Sequence, residues 1–290
     1  MSTTPFIVSK NLGKRFDIES ADFPVTNADG KPVVPLTDEQ KYLFDMRGWL
    51  LIPGVLTAAE AAEMRSFCTR LKNDPESIPE SDRSTLGGPL QQLADHPVVV
   101  GFMNEFVAHP ELSSQVCYGF RQESTNLVYR TAGDGVFGPH NGNGLLRFPG
   151  DSHHYQCIPG KAHSGLSRVV WELNAVDKGD GGTLLVTGSH KAVFPAPDAL
   201  QDPSWPNWDT YSCPEGSVLF FTEALTHSAQ LWTNPNRPRV AIFSCYNTVN
   251  SKWHAWEPNA ELLASMPPMR QTLYRPVRAA NNLIGAEYRH

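Results

Sequence analysis

Two histidines stand in surroundings suited to holding a metal ion. His227 follows an apolar run and the polar pair Thr222 and Glu223 in GSVLFFTEALTH. Polar groups just past an apolar strand mark the mouth of a barrel or sandwich, where a neutral imidazole can reach an ion. Arg239, twelve residues further on, opens the next apolar run, RVAIFSCYN. A strand, a turn through TNPNRP and a returning strand bring such an arginine back beside the histidine. A guanidinium grips a carboxylate with a two-pronged fork, so His227 and Arg239 suit a metal beside an organic acid. His140 is the second candidate, in YRTAGDGVFGPHNGNG, after the strand pattern NLVYR and a glycine-rich turn. Most of the ten histidines are expected to be structural or exposed.

The elements that must position these groups change character along the chain. Residues 1–36 are polar and turn-rich and read as an arm on the surface. Thr37 or Asp38 caps a helix that Gly48 ends, Trp49 to Ile52 reads as a strand, and Thr57 starts a second helix. The stretch NDPESIPESDRST is a loop, and HPVVVGFMNEFVAHPELSSQV is expected to be a helical pair broken near Pro110. After about residue 120 the apolar runs shorten to TNLVYR, LSRVVWEL, GTLLVT, GSVLFF and RVAIFSCYN, divided by Gly, Pro, Asn and Asp. This is strand punctuation, so the pattern predicts helices first and then a β-sandwich or barrel, an α+β domain. Residues 251–290 are rich in Pro, Asn and Arg and are expected to wrap the core.

Composition narrows the function classes. The chain has 290 residues and a formal net charge of −6, which disfavours nucleic acid or an anionic membrane as the main partner. Five cysteines form no CxxC pair, which argues against a disulfide framework or a Cys-rich zinc site. There is no signal-like apolar region at the N-terminus and no long apolar stretch. The expectation is a cytoplasmic protein acting on a small molecule, with no nucleic acid and no membrane partner; the oligomeric state is open.

Four pieces in order resemble the phytanoyl-CoA dioxygenase-like branch of the Fe(II)/2-oxoglutarate oxygenases, over residues 37–250. They are LTDEQKYLFDMRGWLLIPGVLTAAEAAEM, GLSRVVWELNAVDKGDGGTLLVTGSHKAVF, GSVLFFTEALTHSAQLW and NRPRVAIFSCYN. The resemblance implies a double-stranded β-helix, a cupin-like jelly roll with flanking N-terminal helices. The expected layout is one domain: the arm, a mainly helical part at 37–119, a jelly-roll core at 120–250 and the C-terminal wrap. It also implies Fe(II), 2-oxoglutarate as cosubstrate and O2 as oxidant, acting on a C–H bond of a small organic molecule.

Carried over by position, His227 is the distal iron ligand. Arg239, with Arg237 as the near alternative, binds the far carboxylate of 2-oxoglutarate. Ser228 falls where a hydroxyl helps that arginine, a role its neighbour Ala229 could not fill. Trp171 lies in the strand that lines the cosubstrate pocket. Gly188, Ser189 and His190 make a structural turn, so His190 is no ligand. The insertion LLRFPGDSHHYQCIPGKAH offers His153, His154, Tyr155 and Lys161 as substrate contacts.

One departure matters. The family pattern has His-x-Asp or His-x-Glu, and here the only such pair is His109 with Glu111, in the helical region. The first ligand is taken as His140, with His153 as the alternative. His140 puts Gly142 in the carboxylate position. Three outcomes are open: Glu223 supplies the carboxylate from the same side of an extended segment as His227; the position stays open, as in the Fe(II)/2-oxoglutarate halogenases; or the metal site is degenerate and the jelly roll only binds.

Overall fold

The computed structural model describes residues 6–8, 12–17 and 22–277. A short ribbon, β1 (Phe6–Val8) with β2 (Arg15–Asp17), comes first. Helix α1 (Asp38–Arg47) starts at Thr37, whose side chain accepts from Gln40 while Gln40 reaches back to the Thr37 backbone. This reciprocal cap satisfies two backbone donors that a helix start leaves orphaned. Gly48 ends the helix in the left-handed region at φ 80°. A Cβ built there would lie 2.5 Å from His190 Nδ1, so only glycine lets the two approach. Strand β3 (Trp49–Ile52) follows, then α2 (Ala58–Asn73), capped the same way by Thr57 and Glu60.

Helix α3 (Pro97–Phe106) is the first half of the expected helical pair. The second half is only a 3-10 turn, Pro110–Leu112. Pro110 disfavours helical backbone at the preceding residue, and His109 is indeed extended, at φ −81° and ψ 114°.

Eight more strands follow; five fall on the short apolar runs, and those at 155–158, 161–164 and 227–230 lie outside them. They are β4 (Phe120–Arg130), β5 (Tyr155–Ile158), β6 (Lys161–Ser164), β7 (Ser167–Glu172), β8 (Gly182–Leu185), β9 (Ser217–Thr222), β10 (His227–Gln230) and β11 (Arg239–Thr248). Short helices α4 (Ala260–Ser265) and α5 (Pro268–Gln271) follow, and Arg270 of α5 is buried against Asp95 and Asp29. The rest of the expected wrap, residues 278–290, lies outside the described residues.

Five strands form one antiparallel sheet in the order β3-β9-β7-β11-β4. Opposite it, β10 pairs with β8, and single bridges extend this ribbon on both sides, His140 to His227 and Leu185 to Asp209. Two such sheets face to face make the double-stranded β-helix.

Side chains alternate across the larger sheet with the strand period of two. Val218 and Phe220 of β9, Val169 and Trp171 of β7 and Ile242 of β11 join the core shared with the helices. Their neighbours Leu219, Phe221, Val170 and Ala241 join a second core between the sheets, with Leu185, Leu225 and Trp232. Each such side chain contributes about 1.5–3 kcal/mol when fully buried. The second core forms the floor on which the site is built.

Candidate metal and cosubstrate site

His140 and His227 are bridged backbone to backbone, each amide donating to the other residue's carbonyl at 3.2 Å. The bridge holds the imidazoles side by side, with ring centroids 4.2 Å apart. Each ring is fixed in the same way. His140 Nδ1 lies 2.9 Å from Gly138 O, and His227 Nδ1 lies 2.8 Å from Leu225 O. A carbonyl can only accept, so both Nδ1 atoms donate, which leaves Nε2 as the nitrogen available to a metal. An imidazole oriented through its other nitrogen is the usual arrangement around a bound metal. Burial pushes His227 down to about 4, so it is neutral near pH 7.

Glu223 completes the cluster. One ligand atom from each of His140, Glu223 and His227 falls within a 4.8 Å group. The geometry differs from the expected one in its cause. Glu223 lies just beyond β9 and His227 opens β10, so a turn, not an extended segment, brings them together. Glu223 Oε2 is 3.5 Å from His227 Nε2 and accepts from Asn141 Nδ2 at 3.0 Å. Oε1 is held by Arg168, from Nε at 2.7 Å and from Nη2 at 2.5 Å. Burial alone would raise the carboxyl, but Arg168 outweighs it and holds Glu223 at about 2.

Gly142 cannot carry the carboxylate that the family pattern places there. Its φ is +108°, and a Cβ would meet Thr226 Oγ1 at 2.4 Å. Asn141 and Asn143 on either side are also left-handed, at 66° and 56°. The backbone thus turns this position toward Thr226.

Beside the cluster lies a pocket of about 260 Å³, lined by His140 and His227 and by three arginines, Arg130, Arg168 and Arg239. Arg239 points into it and Arg237 does not. Arg237 binds Asp180 of the GDGG bend at 3.0 Å and Asp177 just before it at 2.7 Å. Arg239 is only 1% exposed and is engaged by the protein itself. Its Nε lies 3.3 Å from Glu172 Oε2. Its Nη2 reaches Glu172 Oε1 at 2.5 Å, Tyr211 Oη at 3.0 Å and Thr183 Oγ1 at 3.2 Å. Burial opposes the charge on Arg239, but Glu172 more than offsets this and raises its proton affinity.

The other expected cosubstrate residues are placed differently. Trp171 is fully buried on the helix side of β7, edge-on to His96, and does not line the pocket. Neighbours on a strand face opposite ways, so it is Glu172 that turns toward Arg239. Ser228 lines the pocket, but its hydroxyl accepts from Gly138 N at 2.9 Å and lies 3.2 Å from Ala229 O. The hydroxyl at Arg239 comes instead from Thr183, which pairs with Ala229 across the β8–β10 ladder.

The four expected substrate contacts separate. His153 is held by Asp151 through Nδ1 at 3.1 Å and lies edge-on to Trp253. Tyr155 is buried and donates to Asp45 at 2.7 Å. Lys161 bonds Glu105, and His154 bonds Asp151 O at 2.6 Å. His154 and Lys161 line a different pocket, of about 410 Å³. His190 is buried with Nε2 3.0 Å from Asp45 O.

Sequence reasoning missed Arg130, Arg168 and Glu172. The signal was present: charged residues in apolar strand runs, with Arg168 and Glu172 an even number of residues apart on one face.

The residues fit the groups the resemblance implies. Two imidazoles with a carboxylate are a donor set for Fe(II). Three guanidiniums against two carboxylates leave the pocket one positive charge, which suits an organic anion.

Comparisons with known proteins agree. A family model described as phytanoyl-CoA dioxygenase matches residues 44–241. Among solved structures, apo HygX from Streptomyces hygroscopicus is 25% identical, covering 79% of this chain and 94% of its own, with a TM-score of 0.60. HygX with nickel, 2-oxoglutarate and hygromycin B bound is 25% identical over 77% of this chain and 90% of its own, with a TM-score of 0.58. EctD from S. alaskensis shares the fold at 16% identity, over 81% and 84%, with a TM-score of 0.55. No curated protein matches the sequence. No helix among the described residues is long and apolar enough to cross a membrane.

Proposed function

The chain belongs to the phytanoyl-CoA dioxygenase family of iron- and 2-oxoglutarate-dependent oxygenases, and from that premise we propose that His140, Glu223 and His227 are its iron ligands. The observation that carries this is the matched pair of imidazoles, both anchored through Nδ1, with a buried carboxylate beside them. Iron(II) with 2-oxoglutarate supplies, when bound, the oxidation of a substrate C–H bond by dioxygen, with succinate and carbon dioxide as co-products.

The chain's own residues do the positioning. Leu225 O and Gly138 O hold the two rings through Nδ1 and aim their Nε2 atoms at the cluster. Arg168 holds Glu223 ionised and fixes one of its oxygens, leaving Oε2 turned to His227. Phe221, with its ring 4.8 Å from that of His227, walls the cluster and keeps water from its flank. Arg239 and Thr183 form the polar end of the pocket that receives the cosubstrate's far carboxylate.

The substrate is a small organic molecule, of the kind represented by the hygromycin B bound in the HygX complex. It enters over the segment after His140, where exposed Leu146 and Phe148 provide apolar surface. Asn143 ties this segment to exposed Phe194 through the Phe194 carbonyl. His153 lies on the Glu223 side and is the substrate contact we retain. Glu223 supports an oxygenase over a halogenase, because a carboxylate reaches the cluster although position 142 has none.

Anaerobic titration with Fe(II) and then 2-oxoglutarate tests the reading. A visible metal-to-ligand charge-transfer band is expected in the native protein and none in H227A. Native protein that takes up iron and gives no band would refute it.

A further inference from the structure

Arg130 is a feature of the pocket wall that neither the metal cluster nor the paired carboxylates account for. It closes β4, and the ladder sets it directly opposite Arg239 on β11. Like charges opposite one another on a sheet are destabilising unless something answers them. Arg239 is answered by Glu172, Tyr211 and Thr183. Arg130 has no direct partner of this kind: its Nη1 is buried without a hydrogen bond, and Glu172 and Asp134 act on its charge only through space, outweighed by burial and Arg239. Burial first, and Arg239 next, lower its hold on the proton. An unpaired buried donor on a cation is expensive to keep. Here it lies in the wall of the same pocket that holds both histidines.

We propose that Arg130 is a second cosubstrate-binding residue, whose guanidinium, with a buried Nη1 that no protein group accepts from, meets the carboxylate of 2-oxoglutarate remote from the iron. Glu172 has already neutralised Arg239 and occupied its Nε and Nη2, leaving Nη1 for a ligand. Arg239 is therefore a rigid post, and Arg130 is the charge the anion meets. The inference rests on the reading of this pocket as an iron and 2-oxoglutarate site.

The consequence is selectivity for a diacid. A 2-oxo acid lacking the remote carboxylate gains nothing from Arg130. The test compares dissociation constants of 2-oxoglutarate and 2-oxobutyrate, measured anaerobically on Fe(II)-loaded native protein, R130M and R130K. R130M is expected to bind 2-oxoglutarate about 10- to 100-fold more weakly, the range for a lost hydrogen bond to a charged group. Its affinity for 2-oxobutyrate should be unchanged, and R130K should recover part of the loss. Fe(II) retention should match the native protein. Ligand-free R130M should melt at the same temperature or higher, because a half-buried arginine with an unsatisfied Nη1, opposite the like charge of Arg239, is gone. Native affinity for 2-oxoglutarate in R130M would overturn this inference alone, as would an equal loss for both acids. Native protein that binds iron but not 2-oxoglutarate would overturn the pocket reading, and this inference with it.

Discussion

Two arginine–glutamate pairs share the pocket face of β7, and they serve different ends. Glu172 is fully buried, and its partner Arg239 is 1% exposed. Both Glu172 oxygens meet Arg239, and Tyr211 donates to Oε1 at 2.6 Å. That carboxylate is spent on the wall. Glu223 is also buried against an arginine, but Arg168 takes only Oε1. Oε2 has an amide at 3.0 Å and an imidazole nitrogen carrying a lone pair at 3.5 Å. Two lone-pair donors that close form an arrangement a cation stabilises. The difference teaches that the third neighbour, more than the ion pair, decides whether a buried carboxylate is structural or a ligand.

The sharpest way to break this comparison is to remove both carboxylates in turn. E172A leaves Arg239 charged, buried and unpaired, and should cost about 3–5 kcal/mol in urea unfolding. Metal affinity of the folded E172A protein should stay native. A stable E172A would mean that the wall pair is not what holds Arg239. E223Q should do the reverse. Partners that only orient a ligand cost 10- to 100-fold in metal affinity, so a ligand itself should cost more than about 100-fold, by Fe(II) dialysis, with a smaller change in unfolding free energy. Retained iron affinity would demote Glu223 to the same class as Glu172.

Moving the carboxylate to the family position sharpens the point. G142D should destabilise the protein by about 1–3 kcal/mol, since a side chain there is strained and meets Thr226. Combined with E223Q it should not restore iron binding. A rescued double variant would show that the left-handed loop at 141–143 readily rearranges.

The smallest effect concerns a histidine outside the cluster. Burial lowers His190 to about 4, against about 6.5 in an unfolded chain. Between these values the unfolded state binds the extra proton, so stability is full above about pH 6.5 and falls as pH drops toward 4. The slope from one such group is at most about 1.4 kcal/mol per pH unit. H190Q should flatten the pH dependence of ligand-free stability by up to that amount, by urea unfolding at several pH values. An unchanged slope would show that His190 is not buried neutral.

Much of the fold was legible because its signals are local. Thr37, Gly48 and Thr57 bound their helices through caps that act within four residues. The short runs from TNLVYR to RVAIFSCYN became strands because alternation and turn residues are read within a few positions. The helical pair failed at Pro110, where a backbone restriction outweighed the apolar pattern. In the site, His140, His227 and Arg239 were legible from strand context. Trp171 went astray because a run buried on both faces does not tell which alternate residue faces which core.

By itself the sequence determined most of the elements, their order and the residue types that can hold iron and an acid, all properties of neighbours along the chain. Tertiary structure decided the rest, because it depends on groups far apart in sequence. Glu172 reaches Arg239 from 67 residues away, and Glu223 is held by Arg168 from 55 residues away. The clash at position 142 is set by Thr226, and Arg130 faces Arg239 only through ladder register. No local pattern carries the information on which carboxylate is already taken and which charge is still free.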